Sequence, residues 1–145
     1  MRALLLTFAA LTVAACDSAG DPAPDDLVVS LVEFEPPEGG AAELFVRVET
    51  EEEFPCANYQ LRVEATADDE RLRAEVGGVD LPGEICLTAL GPATWTAPLD
   101  AAGDLDGYRV EVACGGRTDV YEVLAGASGL DLAPVRTSFT RPGPR

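Results

Sequence analysis

Short runs of alternating apolar and polar residues, interrupted by glycine and proline, make up most of this chain. Alternation with a period of two is typical of strands with one buried face, and turn residues at intervals of ~8 to 12 positions are typical of all-β domains. The first predicted strand covers residues 27–34 and ends at a pair of prolines. The second covers residues 44–48, with one face formed by Leu44, Val46 and Val48.

The middle of the chain predicts a hairpin followed by a buried strand. The two apolar faces of the hairpin, on either side of a turn at residues 67–70, are Tyr59, Leu61, Val63 and Ala65, then Leu72, Ala74 and Val76. The polar residues between them predict one wet face. Residues 85–90 are apolar on both faces, which favours a central buried strand over a recognition surface. Residues 94–99 predict the next strand.

The last third of the chain carries the most specific fold signal. Asp104-Leu105-Asp106-Gly107-Tyr108 precedes an alternating run to Val112, a Gly115-Gly116 turn and a return strand over residues 119–124. This segment resembles the tyrosine corner of immunoglobulin-like domains, which implies that Tyr108 is buried and that its hydroxyl bonds to backbone near Asp104 or Leu105. An edge strand is predicted at residues 137–140, and the final residues are expected to be loose.

The resemblance implies an immunoglobulin-like antiparallel β-sandwich over residues 27–145. Trp95 is a candidate core residue, although it lies before the corner and not on the third strand, where antibody-type domains place their tryptophan. We therefore assign no particular immunoglobulin family.

The first 16 residues have the features of an export signal. Arg2 precedes an apolar stretch at residues 3–10 that is too short to span a bilayer. The sequence Val-Ala-Ala-Cys ends at Cys16 and resembles the lipobox of bacterial lipoproteins. The resemblance implies cleavage of the signal peptide, residues 1–15, and a lipid on the Cys16 sulfur; an ordinary secretory peptide is the alternative.

Residues 16–26 are predicted to form a flexible acidic tether, because they contain aspartates, prolines and small residues with nothing apolar to bury. Asp17, directly after the lipid cysteine, is an inner-membrane retention signal in some bacteria, whereas acidic residues there accompany surface display in others. We favour the outer membrane of a bacterial cell envelope as the location.

Charge and composition narrow the classes of function. The whole chain has a formal net charge of −16, from 10 basic and 26 acidic residues, and it contains no histidine. Without Arg2 the mature chain has 9 basic residues and a charge of 9 − 26 = −17. Nucleic-acid binding is excluded, because phosphate contacts need clustered lysine or arginine. The acidity is better explained by solubility than by capture of cations or basic partners. Without histidine the usual general base, zinc ligand and nucleophile pairs are missing.

Three local segments contain residues that could bind a metal ion or act in catalysis. Asp104 to Gly107 resembles part of a calcium loop, but the EF-hand template places alanine at both its first and its twelfth position. Residues 126–129 lack the spacing of a nucleophile elbow and predict a turn. The acidic run at residues 49–53 predicts an exposed loop. No cofactor, metal site or catalytic residue is therefore assigned.

Three cysteines remain once Cys16 carries lipid, and an oxidising compartment allows three pairings. Cys56 precedes the predicted hairpin and Cys86 follows it, so the antiparallel return brings the two together. Cys114 continues the inward alternation of its strand and is expected to remain a buried thiol. A Cys56–Cys86 disulfide closing a loop of about 30 residues should contribute ~3 to 4 kcal/mol.

These observations together predict a lipid-anchored envelope protein with a non-catalytic binding or structural role. Its expected contacts are the membrane, through the lipid, and another envelope protein or a cell-surface ligand. The alternative is an exported carboxylate-dependent hydrolase, or an inhibitor of one. A cleft with two carboxylates ~5 to 10 Å apart would favour the hydrolase. A closed sandwich with a rigid exposed loop would favour binding or inhibition.

Overall fold

The computed structural model describes residues 24, 26–36, 41–80, 86–99, 105–126 and 129–144. Within these ranges the chain forms strands, turns and irregular segments and no helix, so the domain is all-β as predicted. The strands are β1 (Leu27–Phe34), β2 (Glu43–Phe54), β3 (Gln60–Ala67), β4 (Arg71–Asp80), β5 (Gly91–Pro98), β6 (Arg109–Cys114), β7 (Arg117–Gly126), β8 (Gly129–Arg136) and β9 (Thr140–Pro142).

The nine strands form one mixed sheet in the order β8-β7-β6-β4-β3-β5-β2-β1-β9. Three neighbouring pairs, β1 with β9, β3 with β5 and β4 with β6, are parallel, and the others are antiparallel. Strand β8 at one edge also contacts β1 and β9 at the other edge, so the sheet curls until it is nearly closed. The prediction of a purely antiparallel arrangement is therefore wrong. Alternation along a strand shows which face is buried, but it does not show which strand lies at each edge.

The core fills the inside of the curled sheet. On β4 the inward residues Leu72, Ala74 and Val76 are at most 2% exposed, which confirms the predicted face of this strand. On its partner β3 Leu61 is buried, Val63 is partly buried and Ala65 is exposed, so the burial of the predicted face decreases along β3 toward the β3–β4 turn. Trp95, the candidate core residue, is partly buried and packs against the core.

Two hairpins confirm the predicted turns. The β3–β4 turn is held by Asp68, whose side-chain Oδ1 accepts hydrogen bonds from the backbone N–H of Glu70 (2.9 Å) and Arg71 (3.0 Å). The β6–β7 turn has two central residues, Gly115 and Gly116, with φ of 57° and 76°. A two-residue hairpin with positive φ at both positions is a type I′ turn, whose backbone matches the twist of the flanking strands and favours glycine.

Several strand boundaries differ from the prediction. Strand β1 has the predicted limits, but β2 runs on through the acidic residues Glu51, Glu52 and Glu53, which were expected in a loop. A register shift in its pairing with β5 accommodates these residues and leaves their side chains exposed. Strand β8 was not predicted, and the edge strand predicted at 137–140 begins later: residues 137–139 form a loop, and the edge strand β9 starts at Thr140.

The register defines two ends of the sheet. At the entry end, where β1 begins, Leu27 pairs with Thr50, and β2 continues past this point until Phe54 pairs with Gly91. The segment before β5 therefore lies at the same end as the tether before β1. At the opposite end lie the β3–β4 turn and the start of β6, because β4 and β6 run side by side in parallel.

Candidate functional site

A disulfide joins Cys56 to Cys86, with a Cα–Cα distance of 5.2 Å, as the sequence predicts. Cys56 is buried, whereas Cys86 lies in an exposed segment before β5. Cys114 is 1% exposed and keeps its thiol in the core, also as predicted. The pairing follows from the β3–β4 hairpin, which returns the chain to the end of the sheet where β3 begins.

We call residues 86–90 the cysteine loop. The backbone N–H of Ala57 donates to the carbonyl of Leu87 (3.1 Å), and the N–H of Leu87 donates to Oδ1 of Asn58 (3.2 Å). The N–H of Ala89 closes a tight turn onto the carbonyl of Leu87 (2.7 Å). Gly91 approaches the same segment so closely that a Cβ there would lie 3.3 Å from Cα of Ala57. The disulfide and these hydrogen bonds together hold the loop against residues 55–58.

The cysteine loop presents two large apolar side chains to solvent, since Leu87 is 57% and Leu90 is 69% exposed. The prediction that residues 85–90 form a buried central strand is therefore wrong for the described residues 86–90, which form no strand. An unbroken apolar run has no periodicity that separates a buried strand from an exposed apolar loop. Here the disulfide and the contacts with residues 57 and 58 keep the run on the surface.

An aromatic pair flanks Cys56 along the chain, and acidic residues lie near the loop on β2. The rings of Phe54 and Tyr59, which flank Cys56 along the chain, stack with centroids 4.7 Å apart and packed against the core. Glu53 pairs in register with Pro92, two residues after the loop, and Glu51 and Glu52 precede Glu53 on β2. The loop thus combines exposed leucines with a negative border.

Sequence reasoning missed a buried carboxylate, Asp119 on β7, which is 0% exposed. It accepts hydrogen bonds from the backbone N–H of Ser138, Phe139 and Thr140 (2.8–2.9 Å). The hydroxyls of Ser138 and Thr140 also donate to it, both at 2.8 Å. Burial alone would raise its pKa, but the combined hydrogen bonds outweigh burial and lower the pKa from 3.8 to about 2.

The Asp119 site joins the two edges of the sheet. Ser138 and Phe139 lead into β9, which starts at Thr140 and forms one edge of the sheet, whereas β7 lies next to β8 at the other edge. Because Thr140 donates its hydroxyl hydrogen to Asp119, the Tyr121 hydroxyl donates to Thr140 Oγ1 at 2.6 Å. The sequence did contain a signal for this burial, because Asp119 lies two residues before Tyr121 and four before Val123, on the same inward face of the strand. A charged residue on an apolar face needs several partners.

Tyr108 is buried at 4% exposure, as predicted, but its hydroxyl donates to the carbonyl of Asp68 at 3.1 Å. The prediction that this hydroxyl bonds to backbone near Asp104 or Leu105 is therefore wrong; residue 104 is outside the described residues, and the hydrogen bond with Leu105 is made by the Tyr108 backbone N–H, which donates to the Leu105 carbonyl at 3.0 Å. The parallel pairing of β4 and β6 places the start of β6 beside the β3–β4 turn. Burial raises the pKa of Tyr108, as do the nearby Asp68 and Asp69 carboxylates.

Carboxylates gather at the end of the sheet opposite the cysteine loop. Asp68, Asp69, Glu70 and Asp106 line an open cavity of about 580 Å³ with Arg71 and Arg109. The Glu70 N–H, above all, lowers the pKa of Asp68, which therefore serves as a turn cap and stays ionised. Within the described ranges, no group of three or more potential ligands is arranged to hold a metal ion. This cavity has the carboxylates of a hydrolase, but the pKa of Asp68 is lowered, whereas a glycosidase acid needs a raised pKa.

Comparison with known proteins leaves the chain without relatives from which a function can be transferred. Cys16 and most of the tether lie outside the described residues, and in the described part of the chain no helix has the length and hydropathy to span a membrane. The function has to be argued from the geometry of the sites, since fold alone does not imply function. No protein-family model, curated protein or solved structure matches this chain.

Proposed function

We propose that this chain is a lipoprotein, anchored through Cys16 to the outer membrane of a bacterial cell envelope, that binds a partner protein without catalysis. The single observation that carries the binding role is the cysteine loop, in which Leu87 and Leu90 are held in solvent by the disulfide and by hydrogen bonds to Ala57 and Asn58. The lipid anchor rests on the Val-Ala-Ala-Cys sequence.

A loop held in this way is suited to binding. Association normally costs conformational entropy, because flexible side chains and loops become ordered at the interface. The cysteine loop is already ordered by its covalent link and by its hydrogen bonds to Ala57 and Asn58. Burying Leu87 and Leu90 in a partner would therefore recover apolar burial with little ordering cost.

The position of the loop in the domain indicates where its partner lies. It lies at the entry end, beside the start of β1, and the tether between Cys16 and Leu27 is only ten residues long. A flexible chain of that length spans about 17 Å on average. The loop therefore faces the membrane side of the domain. Glu51, Glu52 and Glu53 oppose direct contact with anionic headgroups, which favours another envelope protein over the bilayer itself.

An immunoglobulin-like sandwich is part of the same proposal. It is supported by the buried Tyr108 at the start of β6 and by the β6–β7 hairpin near the end of the chain. The parallel pairing of β4 with β6 departs from the arrangement expected of such domains. The scaffold places loops at both ends of a rigid core, where binding residues are commonly found.

Inhibition of an envelope hydrolase is a specific form of this binding role, because a rigid exposed loop is the feature with which an inhibitor fills a cleft. Catalysis by the chain itself has less support. Asp119 uses its oxygens to accept hydrogen bonds inside the core, and the pKa of both Asp119 and Asp68 is lowered, whereas a glycosidase acid needs a raised pKa.

The test is cross-linking of the lipidated protein in its native envelope, followed by quantitative identification of the captured proteins. Leu87→Ser combined with Leu90→Ser should remove one captured protein. Leu124→Ser, which changes a 40% exposed leucine on β7, should retain it. If the captured set is the same for all three proteins, the loop is not the binding site. Hydrolase activity of the captured protein, with and without this chain, then distinguishes inhibition from binding alone.

A further inference from the structure

The sheet is left open along the outer edge of β1. Strand β9 pairs only with Leu27, Val28 and Val29, and its extension ends with a hydrogen bond from the Gly143 N–H to the Val29 carbonyl at 2.8 Å. Strand β1 itself continues for five more residues to Phe34. In the described part of the chain, no strand pairs with these five residues on the β9 side.

The backbone N–H and carbonyl groups of this open segment point outward, where another strand could pair with them. The Leu27 N–H donates to the Phe139 carbonyl (3.1 Å), and the Val29 carbonyl accepts from Gly143, so both residues direct their polar groups toward β9. Alternate residues of a strand direct their backbone groups to the same side. Leu31 and Glu33 therefore present an N–H and a carbonyl each along the open edge.

An apolar groove of about 490 Å³ runs beside this edge. Its lining includes five leucines that pack against the core yet are only partly buried: Leu31, Leu44, Leu105, Leu130 and Leu132. They stay partly exposed because β9 is three residues long and the sheet does not close completely between β1 and β8. A strand placed on the open edge would direct alternate side chains onto these leucines.

The charges around the groove are acidic. The charged residues of its lining are Glu33 and Asp131, and Glu35 and Glu43 lie next to the end of β1. A second copy of this chain, with a net charge of −16, would place like charges opposite one another at the seam. An incoming strand with lysine or arginine between its apolar residues complements this edge.

We infer that this edge of β1 binds an extended segment of a partner protein with alternating apolar and basic residues. The segment adds to β1 at Leu31 and Glu33, its backbone completes the ladder, and its apolar side chains cover the groove. This strand-addition site is distinct from the cysteine loop, which lies at the entry end. It does not depend on the proposed role of that loop.

The test uses a fluorescent peptide of alternating valine and lysine, seven residues long, titrated with the mature protein. Glu33→Pro removes one N–H from the open edge, a position where proline is tolerated because that N–H has no partner strand. Glu33→Ala removes the same carboxylate and keeps the N–H. We expect Glu33→Pro to bind the peptide at least about fivefold more weakly than Glu33→Ala.

Two further measurements test the backbone pairing and the charge complementarity without changing the protein. A peptide methylated on alternate backbone nitrogens should bind the unchanged protein more weakly, which tests the ladder even if Glu33→Pro disturbs the fold. Replacing lysine by glutamate in the peptide should abolish binding. The inference would be overturned if Glu33→Pro and Glu33→Ala bound the peptide equally and the methylated peptide bound as tightly as the unmethylated one. It would also be overturned if the valine–lysine peptide did not bind, or if the protein dimerised through this edge.

Discussion

Asp119 shows how much a single residue contributes to this fold. A carboxylate inside an apolar core is costly unless its oxygens accept hydrogen bonds, and Asp119 accepts five donors from Ser138, Phe139 and Thr140. These donors belong to the segment that starts β9. Asp119 therefore links β7 to the segment that starts β9, in addition to the pairing of β9 with β1.

Asp119 should make the protein sensitive to acid. Its pKa is lowered in the folded state, so its contribution is complete above pH 3.8 and is lost as the pH falls through about 2. The shift from 3.8 to about 2 corresponds to roughly 2 kcal/mol of stability at neutral pH. Asp119→Asn should lower the free energy of unfolding by at least that amount at pH 7, because an amide nitrogen cannot accept from these donors.

Urea denaturation between pH 7 and pH 2 measures this effect. The stability difference between the wild type and Asp119→Asn should shrink as the pH falls below 4, because the wild-type carboxylate becomes protonated. Glu64→Gln, an exposed change on β3, should stay within about 0.5 kcal/mol of the wild type throughout. A difference that is independent of pH would mean that Asp119 acts through its shape and not through its charge.

Tyr108 illustrates the limit of local reasoning at the same scale. Its burial follows from its place at the start of an inward alternation, Tyr108, Val110 and Val112. Its hydrogen-bond partner is forty residues away in the chain, at Asp68. The pairing of β4 with β6 brings the two together, and neither strand carries a local signal for that pairing.

At the scale of elements, the cysteine loop and the β3–β4 hairpin form one unit. The hairpin returns the chain to its starting end, and the disulfide then joins the segments before and after it. The same covalent link keeps an apolar run from entering the core. A segment that its unbroken apolar sequence assigns to the interior is thus part of the surface, with Leu87 and Leu90 exposed.

Removing this disulfide should cost stability and loosen the loop. The bridge spans a sequence separation of 30 residues. In the chain-entropy model a loop of this size contributes ~3 to 4 kcal/mol. Replacing both Cys56 and Cys86 by serine should lower the free energy of unfolding by that amount and speed hydrogen exchange at the Leu87 amide.

Cys114→Ala is the matched control, since it should keep the full sensitivity of stability to a reducing agent, which the double serine variant should lack. Peptide mapping without reduction provides an independent check of the pairing. A linked peptide that contains Cys114 would show that the pairing of Cys56 with Cys86 is wrong.

At the scale of the whole molecule, one sheet encloses one core, and its two edges meet near β8, β1 and β9. The entry end carries the tether, the acidic end of β2 and the cysteine loop; the opposite end carries the β3–β4 turn and the carboxylate cavity. Under the proposed lipid anchor at Cys16, the ten residues between Cys16 and Leu27 would orient the domain with the cysteine loop toward the membrane and the carboxylate cavity away from it.

Cys16→Ala should release the protein from the membrane fraction, because each buried methylene of an acyl chain contributes about 0.8 kcal/mol to anchoring. Ser18→Ala, two residues along the tether, should remain in the membrane fraction. Intact mass of the membrane-extracted wild type should exceed that of a chain beginning at Cys16 by the mass of the lipid. A Cys16→Ala protein that remains in the membrane as firmly as the wild type would contradict the anchor.

The sequence by itself determined the all-β class, the limits of β1, the inward face of β4, the Gly115-Gly116 turn and the pairing of Cys56 with Cys86. Each of these depends on alternation, on a turn or on the return of one hairpin, which are properties of neighbouring residues. Only the tertiary structure decided the order of strands in the sheet, the exposure of residues 86–90, the donors around Asp119 and the partner of Tyr108. These depend on which distant strands share an edge, and a pattern with a period of two is the same whichever strand lies alongside.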